Sequence, residues 1–154
     1  MSVTIEHQLS EDQTVFIDEI ASLLTTSGMP LTSARIYGLL LLDSVPISLD
    51  DMTDKLGISK SAASVAVKHL ETRVMARRQR EPGTKRVLFS APENAVGLLS
   101  TKSQLIKDLG HLLTARASDI ATGATQQRIV AIGNFYLKMQ RAIDELLTEL
   151  KSSK

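Results

Sequence analysis

Between residues 57 and 90 the chain holds eight cations, Lys60, Lys68, Arg73, Arg77, Arg78, Arg80, Lys85 and Arg86, against two acids, Glu71 and Glu81. Residues 1–56 hold Arg35 and Lys55 against nine acids, and residues 91–154 hold eight bases and six acids. A 154-residue chain of net charge +1 thus gathers its positive charge in one segment. That is the electrostatic footprint of a polyanion-binding face; the alternative is an ordinary solvated surface that happens to be basic. Two kinds of chemistry are separated within it. Ser61, Ala62, Ser64, Val65 and Lys68 share one side of a helical stretch that has no acid before Glu71. Short polar or small side chains ending in a lysine let a helix enter a groove roughly 12 Å wide. Arg77, Arg78, Arg80, Lys85 and Arg86 flank a Pro82-Gly83 turn and are candidates for phosphate or minor-groove contact. Such contacts give affinity and register rather than sequence choice.

The elements that must position these groups are legible around them. Ser48 and Asp51 form a capping-box pair, with Asp in place of the usual Glu, at the start of a short helix whose buried positions are Met52 and Leu56. Gly57 stands where that helix needs a left-handed residue. Ile58 packs under the turn, and Ser59 caps the next helix, which runs to about Arg73 with Ala63, Ala66, Val67 and Leu70 facing inward. Two amphipathic helices joined by so tight a turn read as a helix-turn-helix, whose second helix lies in the DNA major groove. Two short strands follow, about 74–80 and 85–90, around Pro82-Gly83 at the centre of a type II turn. They need helices to pack on.

Upstream, residues 11–27 read as an amphipathic helix with Val15, Phe16, Ile20, Leu23 and Leu24 on one side, stopped by Gly28, Met29 and Pro30. Thr32 or Ser33 caps a second helix reaching about Asp43. Its apolar residues lie nearly all round, so it should be the most buried of the module. Downstream, Pro92 suits a first helical turn. Leu98, Leu99, Leu105, Ile106, Leu109, Leu112 and Leu113 mark one face of a helix ending near Arg116. In a last helix, about 119–150, Ile129, Ile132, Tyr136, Met139, Ile143, Leu146 and Leu150 recur at spacings of 3, 4, 3, 4, 3, 4. That is a coiled-coil seam needing a partner surface. An intrachain helix could supply it, but a homodimer is favoured, since helix-turn-helix proteins commonly bind two half-sites. Gly123 and Gly133 mark close helix approach or a bend. The fold class expected is therefore mainly α with a two-stranded β wing: a winged helix-turn-helix over residues 9–90 and long dimerisation helices over 91–154, joined by part of the N-terminal helix.

Other chemistries find little support. There is no Cys, hence no disulfide framework and no thiolate metal site. His7, His69 and His111 are too scattered for a metal motif, and there is no glycine-rich phosphate loop. His111, among leucines, reads as a partly buried polar residue. No catalytic residue, metal or cofactor is assigned. The N-terminus lacks the pattern of a signal peptide, and the longest apolar run, 36–42, is too short to span a bilayer. A cytoplasmic location with no membrane partner is expected.

With these pieces in place the chain resembles bacterial winged helix-turn-helix regulators of the MarR type, and most closely their GbsR-like branch. The resemblance rests on GMPLTSARIYGLLLL from Gly28, SLDDMTDKLGISKSAASVAVKHLE from Ser48 and EPGTKRVLF from Glu81. It covers about residues 9–90; the C-terminal helices carry no specific motif. It implies a homodimeric transcriptional regulator, more commonly a repressor, acting on a pseudo-palindromic operator in double-stranded DNA. It also implies that Lys60, Ser61, Ala62, Ser64, Val65 and Lys68 face the major groove and that Arg77, Arg78, Arg80, Lys85 and Arg86 belong to the wing. Members of the branch respond to choline-like ligands, which are usually held in an aromatic cage. This chain has no Trp, so choline is not carried over. A small-molecule effector of unknown identity would draw on Phe16, Tyr37, Phe135 and Tyr136. The competing class is a winged-helix protein–protein interaction module whose basic face docks on an acidic partner, since fold alone does not fix function. The small side chains on the outward face argue against it, because protein interfaces favour large aromatic anchors.

Overall fold

A computed structural model describes residues 8–153; His7 lies outside them. The described residues form two compact units, one ending at Glu93 and the other beginning at Asn94. The first contains α1 (Glu11–Thr26), α2 (Leu31–Leu42), α3 (Leu49–Leu56), α4 (Lys60–Thr72), β1 (Arg77–Arg80) and β2 (Val87–Ser90). The second contains α5 (Val96–Ile120) and α6 (Gly123–Ser152). The fold is a mainly helical winged helix with long C-terminal helices.

In the first unit the helices bury one apolar cluster. Ile17 of α1, Ile36 and Leu39 of α2, Met52 of α3, Val67 and Leu70 of α4 and Phe89 of β2 are its largest buried apolar side chains. Helix α1 starts at a full capping box between Ser10 and Gln13. It turns Ile17 and Ala21 inward, with Leu24 half-buried, a stripe at i, i+4 and i+7. The face expected from its larger apolar residues is therefore wrong: Val15, Phe16 and Leu23 are exposed, Leu23 at 70%. Helix α2 is capped by Pro30 without a side-chain bond, not by Thr32 or Ser33. Ser33 is instead buried where α2 meets α4, and its hydroxyl donates to the Ala66 carbonyl at 3.3 Å. Six residues of α2 are buried, but Leu41 is exposed.

The strands are shorter than the sequence suggests. They pair antiparallel, Arg77 with Ser90 through Arg80 with Val87. A third segment joins at their root: Ile47 and Phe89 exchange two backbone hydrogen bonds of 2.8 and 2.7 Å. The loop before α3 thus carries a bridge that ties the wing to the helices, which answers the instability of an isolated hairpin.

The second unit is a helical hairpin. Pro92 precedes α5 rather than entering its first turn, and Ala95 is the N-cap. The turn between α5 and α6 is two extended residues, Ala121 and Thr122. Gly123 opens α6 at φ +59°, so it is no interior glycine. The residues buried on α5 are Ser103, Gly110 and Ala117, and on α6 Gly133, Gln140 and Leu147, each set one heptad apart. Small side chains let the two backbones approach, and Leu147 is the large apolar residue buried on that line. Of the apolar residues expected to mark one face of α5, Leu98, Leu99, Ile106 and Leu113 are half-buried and Leu105, Leu109 and Leu112 are exposed.

Candidate nucleic-acid interface

The turn between α3 and α4 is built by local hydrogen bonds that the sequence dictates. Ser48 Oγ accepts from the Asp51 N–H at 3.1 Å while Asp51 Oδ2 accepts from the Ser48 N–H at 2.9 Å. Two orphan donors at the start of α3 are thereby satisfied. Gly57 ends the helix at φ +66°, a conformation that costs an L side chain roughly 1–2 kcal/mol. Ser59 Oγ accepts from the Ala62 N–H at 3.1 Å and starts α4. Ala63, Ala66, Val67 and Leu70 are buried and fix the rotation of α4 about its own axis. That rotation leaves Lys60, Ser61, Ser64, Val65 and Lys68 exposed and Ala62 half-buried.

In the wing, Gly83 takes φ +77° and the Thr84 N–H donates to the Glu81 carbonyl at 3.2 Å, as a type II turn requires. All four residues of β1 are exposed, whereas Phe89 on β2 is buried. The wing therefore hangs from Phe89 and presents its arginines to solvent.

The candidate cations divide into two groups. Lys60 Nζ lies 3.2 Å from Asp50, and both side chains are largely exposed; such a pair contributes little and exchanges readily. The Arg78 guanidinium reaches Glu71 at 3.1 Å and lies over the Phe89 ring at 5.3 Å from its centroid. Arg86 donates to Ser48 Oγ at 3.1 Å and lies 3.7 Å from Asp51 and 3.8 Å from Glu81. Arg86 thus links the wing to the capping box of α3. Lys68, Arg77, Arg80 and Lys85 make no salt bridge among the described residues, and neither does Arg73. Arg73, the C-cap of α4, is an exposed cation that the reading of faces passed over. Its signal was its place in the basic run.

The remaining candidates are dispersed. On α6, Ile132, Leu146 and Leu150 are exposed, and Ile129, Tyr136, Met139 and Ile143 are half-buried. The intrachain seam runs instead through Gly133, Gln140 and Leu147. Phe135 and Tyr136 have ring centroids 6.2 Å apart; Phe16 is exposed and Tyr37 packs half-buried against the first unit's core. A cleft of about 820 Å³ in the first unit has no aromatic residue in its lining; Asp18, Arg35, Asp43, Asp54 and Lys55 line it over Ile17 and Leu56. Asp43 and Lys55 pair there at 3.3 Å. His69 Nε2 is buried with no partner among the described residues, while His111 is exposed rather than partly buried. No group of three or more His, Cys, Asp or Glu that could hold a metal occurs among the described residues, and none of the described helices is long and apolar enough to cross a membrane.

Residues 27–87 match the family model described as MarR family. The chain is 27% identical over 78 residues to the HTH-type transcriptional repressor OpcR of Bacillus subtilis (strain 168), a segment that is 51% of this chain and 42% of that protein. The match therefore spans less than half the length of that relative. Among solved structures, the crystal structure of a transcriptional regulator superposes with a TM-score of 0.81, covering 92% of this chain and 99% of that one at 16% identity. The last likeness is one of fold.

Proposed function

We propose, from the MarR family domain over residues 27–87, that this chain is a sequence-specific DNA-binding transcriptional regulator. In this reading it acts as a homodimer on a pseudo-palindromic operator, most simply as a repressor in a bacterial cytoplasm. Helix α4 lies in the major groove through Lys60, Ser61, Ala62, Ser64, Val65 and Lys68. The wing cations not engaged elsewhere, Arg77, Arg80 and Lys85, take phosphates or the minor groove. The observation that carries the reading is the acid-free, small-residue outer face of α4 beside those cations on a winged helix. The repressor named among its relatives and the three motif blocks support regulation, and the motif blocks point within the family to the GbsR-like branch. The 91–154 region serves as the dimerisation element; the exposed Ile132, Leu146 and Leu150 support that role. The resemblance adds a small-molecule effector of unknown identity.

The test is duplex binding as a function of salt. Counterion release predicts that affinity falls by roughly 0.9 log units per log unit of salt for each phosphate neutralised. Lys68→Ala should flatten that slope by about one phosphate. Selection on random duplexes should return two half-sites about one helical turn apart, roughly 10 base pairs. Absence of salt-sensitive duplex binding at low salt, with a stoichiometric protein partner recovered instead, would overturn the reading in favour of a protein–protein module.

A further inference from the structure

We infer that Val65 reads the 5-methyl group of a thymine, and that this apolar contact sets the sequence preference of α4 at the centre of its exposed face. The inference rests on the DNA-binding reading above and names what that site recognises. Val65 is 72% exposed, more than any other large hydrophobic side chain among the described residues. Yet it stands on a polar face, with Ser61 four residues before it, Ser64 beside it and Lys68 three residues after it. Residues three and four apart are neighbours on a helix, so these side chains form one patch. An isolated exposed valine needs no explanation by itself; its setting supplies one.

Paired hydrogen bonding to base edges uses Arg or Lys at guanine and Asn or Gln at adenine. From Ser61 to Val67, α4 has none of these. Serine hydroxyls both donate and accept and so choose weakly between bases. The Ser61 hydroxyl is, moreover, 3.2 Å from that of Ser59. Lys60 and Lys68, the side chains that could pair with guanine, stand at the two ends of the face. Between them Val65 is the largest and most exposed apolar side chain, and an apolar side chain has a one-sided chemical preference. Thymine is the base that shows a methyl group in the major groove. The short neighbours Ser61, Ala62 and Ser64 allow the α4 backbone close enough for a side chain as short as valine to reach it.

The experiment uses the tightest duplex from the random selection. Each thymine of one half-site is replaced singly by deoxyuracil, which keeps the base pair and removes only the methyl. Burying one methyl corresponds to about a four-fold change in affinity. At one position, uracil should weaken binding of the full chain by about that factor. Val65→Ala should bind the thymine duplex more weakly to a similar extent and no longer distinguish thymine from uracil there. Because Val65 is exposed, the variant should keep its fold, and thermal unfolding of both proteins checks this. Uracil tolerated at every position, or full discrimination retained by a folded Val65→Ala, overturns the assignment while leaving DNA binding intact. Failure of the full chain to bind any duplex at low salt overturns the DNA-binding reading and this inference with it, so the two failures are told apart.

Discussion

The carbonyl oxygens of Gly110 and Gly133 each occupy space that the other's Cβ would need: a Cβ built on either glycine lies 3.1 Å from the other's oxygen. This is the crossing on which α5 and α6 pack, and it turns two residues that weaken helices into the condition for the hairpin. Gly to Ala in a helix interior ordinarily stabilises by about 1 kcal/mol. Here overpacking of about 1–3 kcal/mol opposes it. At Gly133 a Cβ would also meet Thr114 Cγ2 at 2.8 Å and Leu113 Cβ at 3.1 Å, and Thr114 is held by its own hydroxyl bond of 3.0 Å to the Gly110 carbonyl. With its three close contacts Gly133→Ala should fall at the upper end of that cost and lower stability by up to about 2 kcal/mol in urea unfolding. Gly110→Ala should cost less, because its nearest obstacle is the end of the Leu137 side chain. A stabilised Gly133→Ala would show that the helices do not approach this closely.

Helices α1 and α4 end in the same motif with different residues. Gly28 at φ +93° and Val74 at φ +59° occupy equivalent positions. In each case two backbone hydrogen bonds return to the last turn, Met29 to Leu24 and Gly28 to Thr25, Met75 to Leu70 and Val74 to Glu71. Left-handed backbone costs an L residue roughly 1–2 kcal/mol, and a branched side chain fits it poorly. Val74→Asn should raise the unfolding midpoint, by about 1 kcal/mol of stability. Gly28→Ala should lower it by a similar amount, although a Cβ there meets nothing within 4 Å.

Asp144 holds two buried polar groups of the hairpin. Its carboxylate accepts from the Ser103 hydroxyl at 2.7 Å and from the Gln140 amide, and Ser103 and Gln140 are both buried. Asp144→Ala leaves both without that acceptor and should cost about 1–3 kcal/mol. Asp144→Asn, which keeps a carbonyl oxygen, should lose less. Equal losses in chemical denaturation would mean that the hydrogen bonds contribute little.

Arg86 and Lys85 are adjacent in sequence but differ in engagement. Arg86 is turned onto Ser48, Asp51 and Glu81, whereas Lys85 has no salt bridge among the described residues. If duplex DNA is bound as proposed, Lys85→Ala should reduce the salt slope by about one phosphate. Arg86→Ala should weaken binding through the wing's attachment to α3 and leave the slope near that of the wild type. A slope lost at Arg86 and kept at Lys85 would reverse their roles.

The exposed apolar side chains of α6 provide the test of self-association. Ile132→Glu or Leu146→Glu places a charge on the proposed seam but outside the Gly133, Gln140 and Leu147 packing line. Sedimentation should show dimer giving way to monomer, with helix content retained. Persistence of the dimer in both variants would move the interface elsewhere.

Local chemistry made much of the site readable from the chain. A capping box at Ser48, a left-handed Gly57, a capping Ser59 and the inward run Ala63, Ala66, Val67 and Leu70 are short-range requirements, met by residue type alone. They set which side of α4 faces out. Periodicity of large apolar residues was less reliable, because it records candidates for burial and not the distance between helices. In α5 and α6 the helices pack through Ser103, Gly110, Ala117, Gly133, Gln140 and Leu147, while Leu105, Leu109 and Leu112 of the apolar pattern are exposed. A small-residue heptad was present in the sequence, but only a neighbouring backbone gives it meaning. The division of the cations was likewise decided by tertiary structure. Arg78 and Arg86 look the same as Arg77 and Lys85 in a basic run. The fold brings Glu71, Phe89 and the α3 capping box within reach of the first two and leaves the others facing solvent.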